Sequence, residues 1–412
     1  MSPRLSISTK YGASPWLDKF PASRVPSYPR HRGHGDADVA VIGGGLTGCA
    51  TAYALAAAGV NVVLLEAEQV GRGTSAMATG WVADDPGASL ADVEKLIGFK
   101  SARHAWQSWR RAALDFTALL RRLDVKCDLE PRGSLTIAST LDDASRIKRE
   151  LKVRQAAGLE ASIVNAGTVA GEVALAAVAA LKSRGGATIN PYRATLGLAA
   201  AAAARGARVF ERSPARRTTF NRKVAVVHTS GGSLRVRRVV VATGTPTTLF
   251  KSLQRHFWFK SSYLVATERV PAKVRQLLGA RQLVLRDLTT PPHVIRWVDD
   301  ERLLVAGADG PTVPFRLHEK TIIQRTGQLM YELSTLYPDI SGLQPAYGWT
   351  LPYARTAEGL PYFGPHRNFP HHVFAFGDTS HSVTGAYLAS RIFLRHVLDE
   401  VDAADEAFAF TR

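Results

Sequence analysis

Cysteine is nearly absent from this chain, with Cys49 and Cys127 the only two in 412 residues. Two thiols cannot staple a chain of this length, which excludes a disulfide-framed scaffold, and no Cys/His spacing of a metal site accompanies them. Cys49 falls inside a predicted helix and is expected to pack as a small apolar side chain. Long apolar runs are missing too. None reaches the ~18 residues of a membrane span, and the alanine-rich stretches 174–181 and 196–204 are too short and read as helices. The first ~35 residues lack the apolar core of a secretory signal, so the cytoplasm is the expected location. Acidic residues are few, 35 against 52 Lys and Arg, giving a net charge of +17. The basic residues nevertheless come in ones and twos (Arg110-Arg111, Arg121-Arg122, Arg216-Arg217, Arg237-Arg238), with no aromatic-interleaved patch or basic tail. A nucleic-acid partner is therefore not the expected reading, and arginine-rich, alanine-rich composition accounts for the charge.

What is present is the composition of a globular chain, 46% hydrophobic and 21% charged, with length for about two or three domains. Its strongest local signal is DVAVIGGGLTGCATAYALAAAGVNVVLLE at 38–66. Val39 to Ile42 form an apolar run suited to a strand buried on both faces, and Gly43, Gly45 and Gly48 follow at GxGxxG spacing. Gly43 permits the tight turn, Gly45 admits a pyrophosphate to the backbone, and Gly48 lets the helix pack on the sheet. Phosphates then meet the free N–H groups of a helix N-terminus. Glu66 ends the next strand, where a carboxylate accepts from ribose hydroxyls. Strand, turn, helix and acid in this order predict a site for FAD or NAD.

Beyond this unit, the proline-rich first ~35 residues carry Trp16, Phe20 and Tyr28, which are expected to anchor the segment to a surface. A small-residue loop covers 71–80. Amphipathic helical stretches are predicted at 92–123 and 141–157, with a strand at 132–139. A helix at 194–205, a strand at 206–211, a hairpin of 224–229 and 233–236, and a buried strand at 238–244 follow. A β-rich region has alternating runs at 263–268, 283–287, 293–298 and 303–307, then a helix near 319–333. A strand at 373–376 and a helix at 383–398 close the chain. The order predicts a mixed α/β protein. Residues 1–36 are an extension, and 37–90, 160–250 and 345–412 form a Rossmann-like nucleotide-binding domain. It is interleaved with a β-rich substrate-binding domain of 91–159 and 251–344.

Four separated segments together resemble the FAD-dependent D-amino-acid oxidase superfamily, especially its glycine oxidase, sarcosine oxidase and γ-glutamylputrescine oxidase-like branches. They are GGGLTG with Glu66, the loop GTSAMATGW, the ATG ending at Gly244, and TAEGLPYFGP with FAFGDTSHSVTG. The resemblance implies noncovalent FAD, with Leu46 and Thr47 at the pyrophosphate, Glu66 and Ala67 at the adenosine, and Thr74 and Ser75 near phosphate and ribityl oxygens. It brings Thr79, Gly80 and Trp81 to the isoalloxazine, Ala215 to the adenine, and Gly377, Asp378, Thr379, Ser380, His381, Ser382, Val383 and Thr384 to the flavin N1/O2 edge. Trp81 also fits domain packing, Asp378 a helix N-cap, and His381 either a structural hydrogen bond or proton transfer.

The sequence departs from that family at three places. The covalent flavin-linking cysteine of sarcosine oxidases falls near Leu351, the arginine that clamps a substrate carboxylate falls on Tyr353, and the lysine placed beside the flavin for oxygen falls near Val305. The implied reaction is C–N bond oxidation of an amine or amino acid, with the imine hydrolysing in water and O2 or another acceptor taking the electrons. Substrate contacts are expected from Tyr263, His293, Arg296 and Tyr353, Arg296 supplying a fork of donors. Two rivals are an RNA-modifying flavoprotein acting on an amino-acid-like group of transfer RNA, and a noncatalytic electron-transfer subunit.

Overall fold

The computed structural model describes residues 8–279, 282–377 and 382–412. Its contacts divide the chain into two units. One comprises Lys19–Glu130, Ala187–Phe259 and Tyr353–Arg412; the other comprises Pro131–Gly186, Lys260–Pro352 and a stretch ending at Asp18. Both mix helices and sheets, the fold class read from the sequence.

The first unit is built on five parallel strands in the order Arg208–Phe210, Val62–Leu65, Gly33–Ile42, Gly232–Gly244, Phe369–Phe376. Val39, Ala40 and Val41 are fully buried, as an apolar run in a parallel sheet requires. Helix Leu46–Ala57 packs against Pro191–Ala204 and Thr384–Leu398. Strand Gly232–Gly244 has two partners in succession: Ala225–Thr229 pairs with its first half, and Phe369–Phe376 with its second. The carboxyl ends of four strands therefore finish at one edge, at Gly43, Glu66, Gly244 and Gly377. Open α/β sheets bind ligands at this edge.

The second unit holds a nine-stranded sheet in the order Lys10–Tyr11, Pro345–Arg355, Trp258–Thr267, Arg302–Pro311, Val294–Val298, Leu283–Arg286, Gly133–Ala138, Ala179–Ser183, Ser162–Asn165. One face packs on helix His318–Leu336, with Tyr263, Val265, Ile295, Trp297, Leu303 and Val305 meeting Ile322, Leu329 and Leu333. Register places Arg286 opposite Val294, Val294 opposite Ala306, and Arg296 opposite Leu304, so these residues share the other face.

Several expectations are corrected. Residues 91–130 belong to the nucleotide unit: helix Phe99–Arg122 stacks Phe116 on Tyr387 of helix Thr384–Leu398 at 5.3 Å. Residues 160–186 belong to the other unit, because Ser162–Asn165 and Ala179–Ser183 pair into the nine-stranded sheet. The 345–352 stretch joins that sheet as well, while 251–259 does not belong to its unit. The extension is split after Asp18. The stretch 174–181 is no helix: Ala174 takes a left-handed φ of 54° after helix Ala166–Val173, and strand Ala179–Ser183 follows. Sheet pairing overrides alanine's helical preference there. The helical stretch 92–123 is two helices, Leu90–Ile97 and Phe99–Arg122, parted at Gly98 with φ 79°.

Candidate functional site: a glycine cradle at the sheet edge

The turn after strand Gly33–Ile42 is built from missing side chains. At Gly43 φ is 109°, and a Cβ would lie 2.5 Å from the Ala242 carbonyl oxygen. A Cβ on Gly48 would fall on the Gly43 carbonyl oxygen itself, and one on Gly44 would sit 2.9 Å from Glu66 Cβ. The backbone can approach the sheet this closely only with glycine. Gly45, the N-cap of helix Leu46–Ala57, offers no side-chain cap. Ser75 does so from the following loop, its Oγ accepting from Leu46 N–H at 2.8 Å.

Glu66 stands at the edge with Oε2 accepting from Gly44 N–H at 2.6 Å and Oε1 from Glu68 N–H at 2.8 Å. Its own carbonyl accepts from Ser213 N–H at 2.8 Å. Behind it lies Glu211, only 1% exposed, which accepts from Val70 N–H at 2.9 Å and from Tyr28 N–H at 3.3 Å. Sequence reasoning missed this second acid. Its signal was the repeated pattern of VVLLE and RVFE, two neighbouring parallel strands each followed by glutamate. Thr47 and Ala215 are partly exposed, while Ala67 and Thr74 are exposed. Cys49 is fully buried, and burial with the charge of Glu66 pushes its thiol up; burial also pushes Cys127 up to about 12, so both are inert.

A second constellation joins the loop after Thr74 to the turn before helix Thr384–Leu398. Thr79 is buried and its Oγ1 accepts from Trp81 N–H at 3.2 Å. Gly80 has φ 73°, and a Cβ there would fall on the Ile189 carbonyl oxygen. Trp81 is buried, pairs with Thr188, and its carbonyl accepts from Val383 N–H at 2.9 Å. Ser382 Oγ accepts from Ala83 N–H at 3.4 Å, and Thr384 Oγ1 donates to the Ala83 carbonyl at 2.7 Å. Gly244 and Gly377 complete this end with φ of 72° and 80°. A Cβ on Gly377 would lie 2.8 Å from Thr356 Cγ2. Asp378, Thr379, Ser380 and His381 lie outside the described residues.

The four residues expected to contact substrate are not one cluster. Tyr263 and His293 lie on the helix side of the nine-stranded sheet, Tyr263 under Arg325 at 5.7 Å and His293 bonded to Glu332 through Nε2 at 3.0 Å. His293 Nδ1 meets Asp287 Oδ2 at 2.6 Å. Burial favours a neutral His293, but the bond and charge of Asp287 and the charge of Glu332 outweigh it and raise its pKa. This is a structural staple between the 287–293 loop and helix His318–Leu336. Arg296 lies on the opposite face, 5% exposed, with its guanidinium 5.3 Å over the Trp16 ring. Alternation along the strand forces the separation, since 293 and 296 differ by an odd number. Arg286, which the sequence did not single out, shares the Arg296 face and donates to Thr136 Oγ1 at 3.2 Å. Tyr353 is half-buried on strand Pro345–Arg355.

The cradle fits a dinucleotide: a helix N-terminus reached only past glycines, a carboxylate at the next strand end, and two further glycine turns at the same edge. Comparison with known proteins agrees. A family model described as FAD dependent oxidoreductase matches residues 38–395. The chain is 25% identical to the γ-glutamylputrescine oxidoreductase of Escherichia coli (strain K12), over 90% of this chain and 86% of that protein. It superposes on glycine oxidase from Geobacillus kaustophilus with a TM-score of 0.75 and 22% identity, covering 92% and 99% of the two chains. It also superposes on L-amino acid deaminase from Proteus myxofaciens with a TM-score of 0.77 and 14% identity, covering 94% and 96%. Among the described residues no helix is long and apolar enough to cross a membrane. With its family model spanning most of the length and its glycine cradle intact, the chain belongs to the DAO family of FAD-dependent oxidoreductases.

Proposed function

We propose that this flavoenzyme oxidises the C–N bond of an amine or amino acid larger than glycine. The observation that carries the reading is the hydrogen-bonded union of the 79–83 loop with Ser382–Thr384, equipment beyond the needs of a simple nucleotide turn. Relatives named for γ-glutamylputrescine and glycine support an amine or amino acid as substrate. When bound, FAD supplies the hydride acceptor for the C–H bond beside the nitrogen.

The chain's residues bind, orient and exclude water. The N–H groups of Thr47 and Gly48 in the first turn of helix Leu46–Ala57 would hold the pyrophosphate, and Glu66 would accept from the adenosine ribose. Helix Thr384–Leu398 begins at the joined loops, so its positive dipole end favours negative charge there. Trp81, Gly80 and Thr79 wall the ring end with buried surface. Arg296 stays the candidate for an acyl or carboxylate oxygen of the substrate, a planar guanidinium on the buried sheet face it shares with Arg286, in place of Tyr353. Tyr263 is withdrawn as a substrate contact, because it is spent on the helix-side core. Leu304, Val305 and Ala306 are all buried apolar residues, so a one-residue slip would not supply the missing lysine, and a quinone-like acceptor is favoured over O2. Two free buried cysteines suit a reducing compartment such as the cytoplasm.

Anaerobic mixing with a panel of amines tests the reading. Amines with an acyl or carboxyl extension should bleach the flavin faster than glycine or sarcosine, and reoxidation should be slower with O2 than with a quinone. Bleaching by no amine or amino acid would sink it. FAD should be recovered in the supernatant after acid precipitation, since Leu351 offers no thiol. Glu66→Ala should raise the FAD dissociation constant roughly 10- to 100-fold, from charge-assisted hydrogen bonds of roughly 1.5–3 kcal/mol each. An unchanged constant in a fluorescence titration would remove Glu66 from the seat.

A further inference from the structure

Near the Gly377 turn, the Arg412 side chain makes three hydrogen bonds to backbone carbonyls. Segment Ala403–Phe408 leads back toward strand Tyr362–His366 and delivers the Arg412 side chain, 4% exposed, into the interior. Nη2 donates to the Leu360 carbonyl at 2.5 Å, and Nη1 donates to the Pro361 carbonyl at 2.6 Å and the Ala407 carbonyl at 3.1 Å. The guanidinium lies 4.1 Å over the Tyr362 ring, which also stacks on Phe410 at 4.7 Å. Glu358 is 3.7 Å away. Burying a guanidinium is unfavourable unless its donors are satisfied, and here the Nη groups are met by the Leu360, Pro361 and Ala407 carbonyls, while Nε has no partner among the described residues.

That segment backs the flavin end of the cradle. The Leu360 carbonyl also accepts from Thr356 Oγ1 at 2.7 Å. Thr356 Cγ2 is the atom that a Cβ on Gly377 would meet at 2.8 Å, and Tyr362 is registered opposite Phe376. A short, rigid path thus runs from Arg412 through the Leu360 and Pro361 carbonyls and Thr356 to Gly377.

We propose that Arg412 is a positioning residue for the FAD site: by holding the Leu360 and Pro361 carbonyls it fixes the seat of Gly377, and so sets both the affinity for FAD and the reduction potential of the bound flavin. This rests on FAD binding at the cradle and is independent of which substrate is oxidised. The full-length protein is tested as Arg412→Met, which keeps the stem and removes the donors, and as Arg412→Lys, which keeps the charge. FAD affinity of the apoprotein is read by fluorescence titration, the midpoint potential by equilibration with a reference dye, and apoprotein stability by thermal melting.

Arg412→Met is expected to weaken FAD binding about tenfold or more, since several charge-assisted hydrogen bonds are removed. It should also move the potential to more negative values, with Arg412→Lys recovering part of both. A lower melting temperature with unchanged affinity and potential would reduce Arg412 to a structural residue and overturn the proposal. Should Arg412→Met fail to fold, Thr356→Val breaks the same path at its next link and must shift affinity and potential in the same direction. Wild-type values for Thr356→Val would overturn the proposal as well. Failure of the amine screen leaves all these readings untouched.

Discussion

Replacing Gly48 by alanine is expected to yield a colourless protein. The added methyl would fall on the Gly43 carbonyl oxygen, a backbone atom that cannot swing aside, with Val41 Cγ1 only 3.4 Å away. Either helix Leu46–Ala57 lifts from the sheet or the Gly43 turn opens, and each displaces the N–H groups proposed to hold the pyrophosphate. Overpacking of this kind costs about 3 kcal/mol or more, roughly a hundredfold or greater loss of FAD affinity. Gly327→Ala is the control, because no atom lies within 4 Å of its Cβ position in helix His318–Leu336. That change should leave the protein yellow and raise its stability by roughly 0.5–1 kcal/mol. Flavin absorbance after desalting distinguishes the outcomes, and full flavin content in Gly48→Ala would mean the turn is not the cofactor's seat.

Acid should strip stability from the same unit, with His372 as the main cause. This imidazole is fully buried on strand Phe369–Phe376, ringed by Phe220, Phe250 and Phe369 at 5.7 Å each and stacked with Phe374 at 6.1 Å. Among the described residues neither ring nitrogen has a hydrogen-bond partner. Burial first, and the neighbouring His371 second, pull its pKa to about 4. The unfolded chain takes up this proton near pH 6.5 while the folded chain refuses it until about pH 4. Stability is therefore intact above about pH 6.5 and drains as the pH falls, by about 3 kcal/mol once pH 4 is reached. His31, His256, His366 and His396, all lowered chiefly by burial, act in the same direction. His293, whose pKa is raised, acts oppositely. Urea unfolding at about pH 7.5 and about pH 4.5 should show this loss, and His372→Phe should remove much of it. A His372→Phe protein with the wild-type pH dependence would place the acid sensitivity elsewhere.

The cradle was legible because its determinants are local. Glycine spacing, the apolar run at Val39–Ile42 and the acid at Glu66 lie within one strand–helix–strand unit, where steric rules act at short range. The Ser75 cap and the buried Glu211 were not legible, since each meets its partner only after distant strands pair. Tyr263 and His293 fall on the face opposite Arg296 because side chains alternate along strand Val294–Val298 and the strands paired with it. The domain boundaries and strand Ala179–Ser183 were beyond local reasoning, because an alanine-rich segment carries no mark of the sheet edge that will recruit it.

The two ends of the cradle close very different lengths of chain. Leu46 meets Ser75 across 29 residues, whereas Thr384 meets Ala83 across 301. A loop ten times longer costs about 2 kcal/mol more to close, and its strands must find partners far away in sequence. Assembly is therefore expected to run from the Leu46–Ser75 end toward the Ala83–Thr384 end, so a chain caught partway through folding, or emerging from the ribosome, forms the glycine turn and its cap before the two loops of the far end have met.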